Sequence, residues 1–212
     1  MGINSLKDQV YDALFSDIVN GVYSTSTILT EKFLMEKYNV SRAPIREALS
    51  QLIGIRILSS IPRQGYKINQ LSKQQLFEII KFRSALESSF LESYYVYIDE
   101  SWIKELIAAN TDFINCPNND LVARWRYNCK FHLKLFSIYG NQYAYKLLED
   151  AMNLQTIFFV QNKHFASADL HLALIDYLKK GDIATALSIL KADIEYLMPS
   201  SIFSAPVNPD IK

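Results

Sequence analysis

Two stretches decide how the chain folds: Val40-Ser41-Arg42-Ala43-Pro44-Ile45-Arg46-Glu47-Ala48-Leu49 and Pro62-Arg63-Gln64-Gly65-Tyr66. Ser41 is a residue type that opens helices, because its hydroxyl can accept a hydrogen bond from a first-turn N–H. Pro44 falls inside that first turn, where a missing N–H costs nothing. Arg42 and Arg46 stand four apart and project from one face. Ile45, Ala48, Leu49 and Leu52 form the opposite, apolar face. Two guanidiniums near a helix start can fork onto phosphates, or onto guanine O6 and N7 in a major groove. The pattern predicts a DNA-recognition helix.

The flanks agree. Thr30 can cap a short helix from Thr30 to Tyr38, with Phe33, Leu34 and Tyr38 as its apolar side, and Asn39-Val40 supplies the turn before Ser41. Leu6, Val10, Leu14 and Ile18 recur at helical spacing from Ser5 to Asn20, and Gly21 ends that run. Ile57–Ile61 and Gly65–Ile68 are short strand-like runs around Pro62-Arg63-Gln64-Gly65, a hairpin that would form the wing.

This segment resembles the winged helix-turn-helix of the GntR family of bacterial transcription regulators. Tyr11, Leu14, Ile18 and Gly21 match the family's early pattern, and Leu29-Thr30-Glu31 its entry to the second helix. The Val-Ser-Arg-x-Pro-Ile-Arg-Glu-Ala-Leu run is complete. The chain departs at Arg56, where the family usually has glycine ahead of the wing; Gly54, two residues earlier, would shift the helix end. The resemblance implies DNA contacts from Lys32, Ser41, Arg42, Ala43, Pro44, Arg46, Arg63, Gln64, Gly65 and Lys67. Arg42 and Arg46 would enter the major groove. Lys32 and Lys67 would reach phosphates or the minor groove.

Charge supports this reading. From Ser41 to Lys67 five basic residues (Arg42, Arg46, Arg56, Arg63, Lys67) face a single acid, Glu47, although the whole chain has a net charge of zero. A basic patch is thus concealed in a neutral protein. The 212 residues fit two domains, 1–70 and 71–198, with 199–212 as a flexible tail carrying Pro206 and Pro209. No run of 18 apolar residues occurs, the N-terminus does not read as a signal peptide, and Cys116 and Cys129 give no disulfide framework. A cytoplasmic protein without a membrane partner is expected.

Residues 71–198 read as six helices, so the fold class is mainly α: a winged helix-turn-helix followed by an all-helical bundle. Ser72 and Gln75 form a capping box for a helix to about Tyr97, with Leu76, Ile79, Ile80, Leu86, Phe90 and Tyr94 on one side. Later helices start at Asp99 or Ser101, at Asn119, at Gln142, at Ala166 and at Asp182. They stop near Pro117, Tyr139, Gln161, Gly181 and Leu197. This half resembles the FadR-type (FCD) effector domain that accompanies many GntR winged helices. The marks are Arg83-x-x-x-Glu87, Phe131-His132 followed by Gly140-Asn141, His171 opening a helix that ends at Gly181-Asp182, and Asp193. Six helices point to the shorter, VanR-like branch.

The resemblance implies a metal site at Asn128, His132, His171 and Asp193, where metal-binding members have Asp in place of Asn128 and His in place of Asp193. Two imidazoles, a carboxylate and an amide oxygen suit a divalent Zn, Mn, Fe or Ni. Asn128 and His132 share a helix face, and Cys129 is a competing ligand. The same four residues could instead form a metal-free hydrogen-bond network, and His164 reads as a loop residue. The run of Trp125, Tyr127, Phe131, Phe136, Tyr139, Tyr143, Phe158 and Phe159 suits either a core or a pocket. The resemblance makes Arg83 the residue that grips an effector carboxylate, and Tyr127 and Tyr139 line the effector site. The expected function is a ligand-responsive regulator: a homodimer on a short palindromic double-stranded DNA operator, answering to a small organic acid. Two alternatives stay open. One is a metal-dependent enzyme built on the bundle, although no catalytic signature is present. The other is a regulator whose second half only dimerises.

Overall fold

The computed structural model describes residues 5–162 and 168–196, with the side chains of 160–162 excepted. His164, Ala166 and the 199–212 tail lie outside the described residues. Among those residues, α1 (Leu6–Val19), β1 (Ile28–Leu29), α2 (Glu31–Tyr38), α3 (Arg42–Gly54), β2 (Leu58–Ile61) and β3 (Gly65–Ile68) come first. Then follow α4 (Lys73–Tyr94), α5 (Glu100–Asn115), α6 (Leu121–Phe136), α7 (Gln142–Asn162), α8 (Ala168–Lys180) and α9 (Ile183–Glu195). Short 3₁₀ turns extend α4 over Tyr95–Tyr97 and α6 over Ser137–Tyr139.

Two compact units emerge. The first takes in Met1–Gln70 in its described part, together with the α7 residues from Glu149 onward. The second holds the rest of the helices. In the first unit α1 packs on α3. Its core is Leu14, Ile18, Leu29, Leu34, Ile45, Leu49, Leu52 and Ile57, all essentially inaccessible to water. The helical period placed Leu6 and Phe33 on the apolar faces, but both are exposed. Leu6 sits in the first turn of α1, and Phe33 instead packs edge-on against Tyr23. Tyr38 is half-buried, its hydroxyl donating to Asp17 at 2.8 Å. That bond ties α2 back to α1.

Caps explain most helix starts. Ser5 and Asp8 form a reciprocal capping box on α1, and Thr30 accepts from the Phe33 N–H on α2. Ser72 and Gln75 form the expected box on α4, and Asp99 caps α5. The cap of α6 is Asp120, one residue later than Asn119, because the carboxylate accepts from the Ala123 N–H. Ser41 stands at the N-cap of α3 in extended backbone, yet its hydroxyl makes no capping hydrogen bond.

The small sheet has the order β1-β3-β2, all antiparallel. β1 was not visible in the sequence, since two residues carry no period. It pairs Ile28 with Lys67 and Leu29 with Tyr66. Gly65 makes this possible: a β-carbon there would collide with the Leu29 carbonyl oxygen. In the second unit α4 lies beside α9, α5 beside α6 and α8, and α8 beside α9. The buried stripe of α4 is Leu76, Ile80, Arg83, Ser84, Glu87, Ser88 and Leu91, whereas Ile79, Leu86, Phe90 and Tyr94 are only half-buried.

The departure at Arg56 has a structural answer. Helix α3 closes with a Schellman motif: Ile57 N–H to Leu52 C=O at 2.9 Å and Arg56 N–H to Ile53 C=O at 3.0 Å. The motif needs a left-handed residue after the cap, and Arg56 occupies it with φ = 62°. The helix end is therefore not moved by Gly54. A side chain in this region costs about 1–2 kcal/mol, and glycine's extra unfolded-state entropy returns only part of that. Arg56→Gly should stabilise the protein by about 0.5–1 kcal/mol, read as a higher urea midpoint at unchanged slope.

Candidate functional site

The first candidate surface lies at the start of α3 and on the wing. Ser41, Arg42, Ala43 and Arg46 are exposed there, and Pro44 is half-buried. Arg42 and Arg46 do share a face: both reach the carboxylate of Glu31, at 3.2 Å and 3.6 Å. On the wing, Pro62 and Arg63 form the turn that brings the Gln64 N–H to the Ile61 carbonyl at 3.1 Å. Arg63 (φ = 63°) takes the position that such a turn holds left-handed. Arg63, Gln64 and Lys67 are exposed, and Gly65 is half-buried. Lys32 is exposed on α2 and faces Glu36 at 4.0 Å. Glu31 stood in the Leu29-Thr30-Glu31 motif that carries the resemblance, but sequence reasoning gave it no role at this surface.

The second candidate is a polar centre inside the helical unit. His132 (α6), His171 (α8) and Asp193 (α9) converge so that one ligand atom from each lies within 4.8 Å of the others. Asp193 Oδ2 is 3.0 Å from His132 Nε2 and 3.3 Å from His171 Nε2. Even so, neither Asp193 oxygen, nor His171 Nε2, makes a hydrogen bond of acceptable angle. Asn128, one turn before His132 on α6, is 2% exposed, and both ends of its amide lack a hydrogen-bond partner. Cys129 is half-buried and does not join the cluster, and no disulfide links Cys116 to Cys129.

Two residues that sequence reasoning gave no such role orient the imidazoles. Glu87 Oε2 meets His132 Nδ1 at 2.7 Å, and Asn110 Oδ1 meets His171 Nδ1 at 2.8 Å. Both oxygens are acceptors, so each Nδ1 carries the proton and each Nε2 is turned toward Asp193. Glu87 was visible only as the end of Arg83-x-x-x-Glu87; nothing in the sequence marked Asn110. His171 is also clamped between rings, stacked on Phe131 at 3.8 Å and tilted against Phe113 at 5.0 Å.

Burial would raise a carboxyl pKa, but the Arg83 guanidinium and His132 hold Glu87 below its ordinary value. Burial likewise acts to raise Asp193, and the neighbouring His132, whose charged form is favoured, holds it far lower. His171 is pushed down by burial and stays neutral. His132 is raised despite burial, because Glu87 and Asp193 favour its charged form. Arg83 is fully buried, with Nε donating to Glu87 Oε1 at 2.9 Å. Tyr127 is half-buried, and its place five residues before His132 turns it to a different part of α6. Tyr139 belongs to an aromatic cluster at the ends of α4 and α6, stacked on Phe90 at 3.7 Å and edge-on to Tyr94 and Phe136.

Comparison with known proteins bears on both surfaces. Residues 6–68 match the model for bacterial regulatory proteins of the gntR family, and residues 78–196 match the FCD domain. The chain is 28% identical over 98 residues to the HTH-type transcriptional repressor GlaR of Escherichia coli, covering 46% of this chain and 44% of that one. It is 30% identical over 150 residues to the HTH-type transcriptional regulator YdhC of Bacillus subtilis, covering 69% and 66%. The match thus spans less than two thirds of either relative. These relatives are named as regulators of transcription, not as enzymes. Among solved structures, Lar of Listeria monocytogenes has a similar fold, with a TM-score of 0.64 at 19% identity over 93% of this chain and 97% of that one. Among the described residues, no helix is long and apolar enough to cross a membrane.

The buried ions make one strong demand. Glu87 is the anion that both Arg83 and His132 face, and removing one member of a buried pair costs roughly 3–5 kcal/mol. Glu87→Ala should lower unfolding stability by about that amount. Glu87→Gln, whose amide oxygen still accepts, should lower it less. A loss below about 1 kcal/mol for Glu87→Ala would mean that the network contributes as little as a surface pair.

Proposed function

The chain belongs to the GntR family of bacterial regulatory proteins and carries an FCD domain, and from that premise we propose a ligand-responsive regulator that binds a short palindromic operator as a homodimer. The observation that carries the DNA reading is the exposed pair Arg42 and Arg46 at the start of α3, beside a wing that presents Arg63, Gln64 and Lys67. One winged helix makes few base contacts, and two-fold operators match two-fold dimers. The helical unit is the proposed dimer platform, and its six helices among the described residues support the shorter, VanR-like branch.

For the helical unit we propose a divalent metal held by His132, His171 and Asp193, with Asn128 as a neutral fourth donor. The donor set supports this. Two imidazoles have Nδ1 fixed by Glu87 and Asn110, and the Asp193 oxygens and the Asn128 amide lack hydrogen-bond partners. Outer partners of this kind fix ring orientation in metal sites. Nitrogen and oxygen donors suit Zn, Mn, Fe or Ni. A bound cation would offset the Asp193 charge and attract an anionic ligand. Arg83 is the further cation that a small organic acid would meet. Any change in DNA affinity is bounded by the effector's preference between the two states of the protein.

Two measurements test the reading. A duplex enriched from a random pool should bind two chains. Arg42→Ala or Arg46→Ala should each weaken that binding by about 1–3 kcal/mol. Enrichment of nothing, or one chain per duplex, would refute the dimeric operator reading. Separately, elemental analysis and calorimetry with Zn²⁺ or Mn²⁺ should give about one metal per chain and a raised thermal midpoint. His132→Ala/His171→Ala should abolish both while DNA binding survives. Absence of metal binding in the wild type would leave the cluster as a hydrogen-bond network.

A further inference from the structure

Glu31 is the first residue of α2, directly after the cap Thr30. Its side chain is 25% exposed and meets three groups from two elements of the unit's DNA face. Oε2 lies 3.2 Å from Arg42 Nε; Oε1 lies 3.6 Å from Arg46 Nε and accepts from the Tyr66 hydroxyl at 3.3 Å. Arg42 and Arg46 belong to the recognition helix, and Tyr66 to β3 of the wing. Both arginines remain about two-thirds exposed while they make these contacts.

Ion pairs this exposed contribute little to stability. What the shared carboxylate does is restrict two long, rotamer-rich side chains before any duplex arrives, so less ordering remains for binding. It also has an opposite effect. A negative charge beside two guanidiniums weakens their attraction for phosphates, which supply sequence-independent affinity. The first effect strengthens contacts that need a fixed direction, such as a fork onto a base edge. The second penalises contacts that need only charge.

We propose that Glu31 is the positioning residue that sets sequence discrimination: shared by Arg42, Arg46 and Tyr66, it aims both guanidiniums at base edges and suppresses binding to the DNA backbone alone. No base contact by Glu31 itself is required. The Tyr66 contact fixes the wing to the same carboxylate, so wing and recognition helix present their cations in one register.

The full-length chain tests this on a duplex enriched by the wild type from a random pool and on a scrambled duplex of equal length. Glu31→Gln keeps the side-chain size and the Thr30 cap while removing the charge. Affinity for the enriched duplex should fall about five- to twentyfold and that for the scrambled duplex rise about two- to fivefold, with a salt dependence on the latter steeper by about one. Glu31→Asp keeps the charge but shortens the reach. It should lose affinity for the enriched duplex without gaining any for the scrambled one. Parallel losses on both duplexes, with a lowered thermal midpoint, would make Glu31 a merely structural residue and overturn the proposal. So would parallel gains, which reduce it to a charge. A new selection with Glu31→Gln that changes a single base pair would place Glu31 on that base and overturn it as well. If the wild type enriches no duplex, sequence-specific binding itself fails, and the proposal with it.

Discussion

Two carboxylates, Glu87 and Asp193, stand where water does not reach, and the helical unit is arranged around that fact. An ionised carboxylate among apolar side chains costs several kcal/mol unless donors surround it. Here the groups that face them come from elements far apart in the chain: Arg83 on α4, His132 on α6 and His171 on α8, the last oriented by Asn110 on α5. A network drawn from five helices, counting α9, fixes their rotations relative to each other. Helix α4 shows the consequence. Its inward face mixes Arg83, Ser84, Glu87 and Ser88 with leucine and isoleucine, while Phe90 and Tyr94 turn toward a peripheral aromatic cluster.

The winged unit follows the opposite logic. Its core from α1 to the wing is mainly aliphatic, its helices start at serine and threonine positions, and the arginines of its recognition helix and wing lie on the outside. The exceptions are backbone ones. Arg56 and Arg63 both occupy left-handed conformations that glycine would hold with less strain. Arg56 sits in the Schellman closure of α3, and Arg63 at the tip of the wing, where the turn throws its side chain outward.

Both units use one device at different depths: a carboxylate shared between an arginine and further donors. At Glu31 the partners are mostly exposed, so the pairing is screened and can be exchanged for DNA phosphates or bases. At Glu87 the partners are buried, and the same attraction acts in a medium of low dielectric. Exchange there would leave a bare ion in the core. Similar chemistry therefore yields a labile, directing contact in one place and a fixed framework in the other.

Local rules carried much of the chain. The run from Val40 to Leu49 determined the recognition helix, because cap, proline and apolar spacing all act within a few residues. The capping box at Ser72 and Gln75 determined the start of α4 for the same reason. The pair His132 and His171 was legible as a possible site, and resemblance singled out Asp193. Contacts between distant residues were not legible. Glu31 reaches Tyr66 across 35 positions, and Asn110 reaches His171 across 61. Periodicity also misjudged α4: it sorts residues by hydrophobicity, whereas a buried ion network orients a helix by its charges. The sequence by itself thus determined the helices, the wing hairpin and the family, but not β1. Which polar side chains meet, and so which residues direct the arginines and the imidazoles, was decided only by tertiary packing, because a hydrogen bond depends on distance and angle that no local pattern encodes.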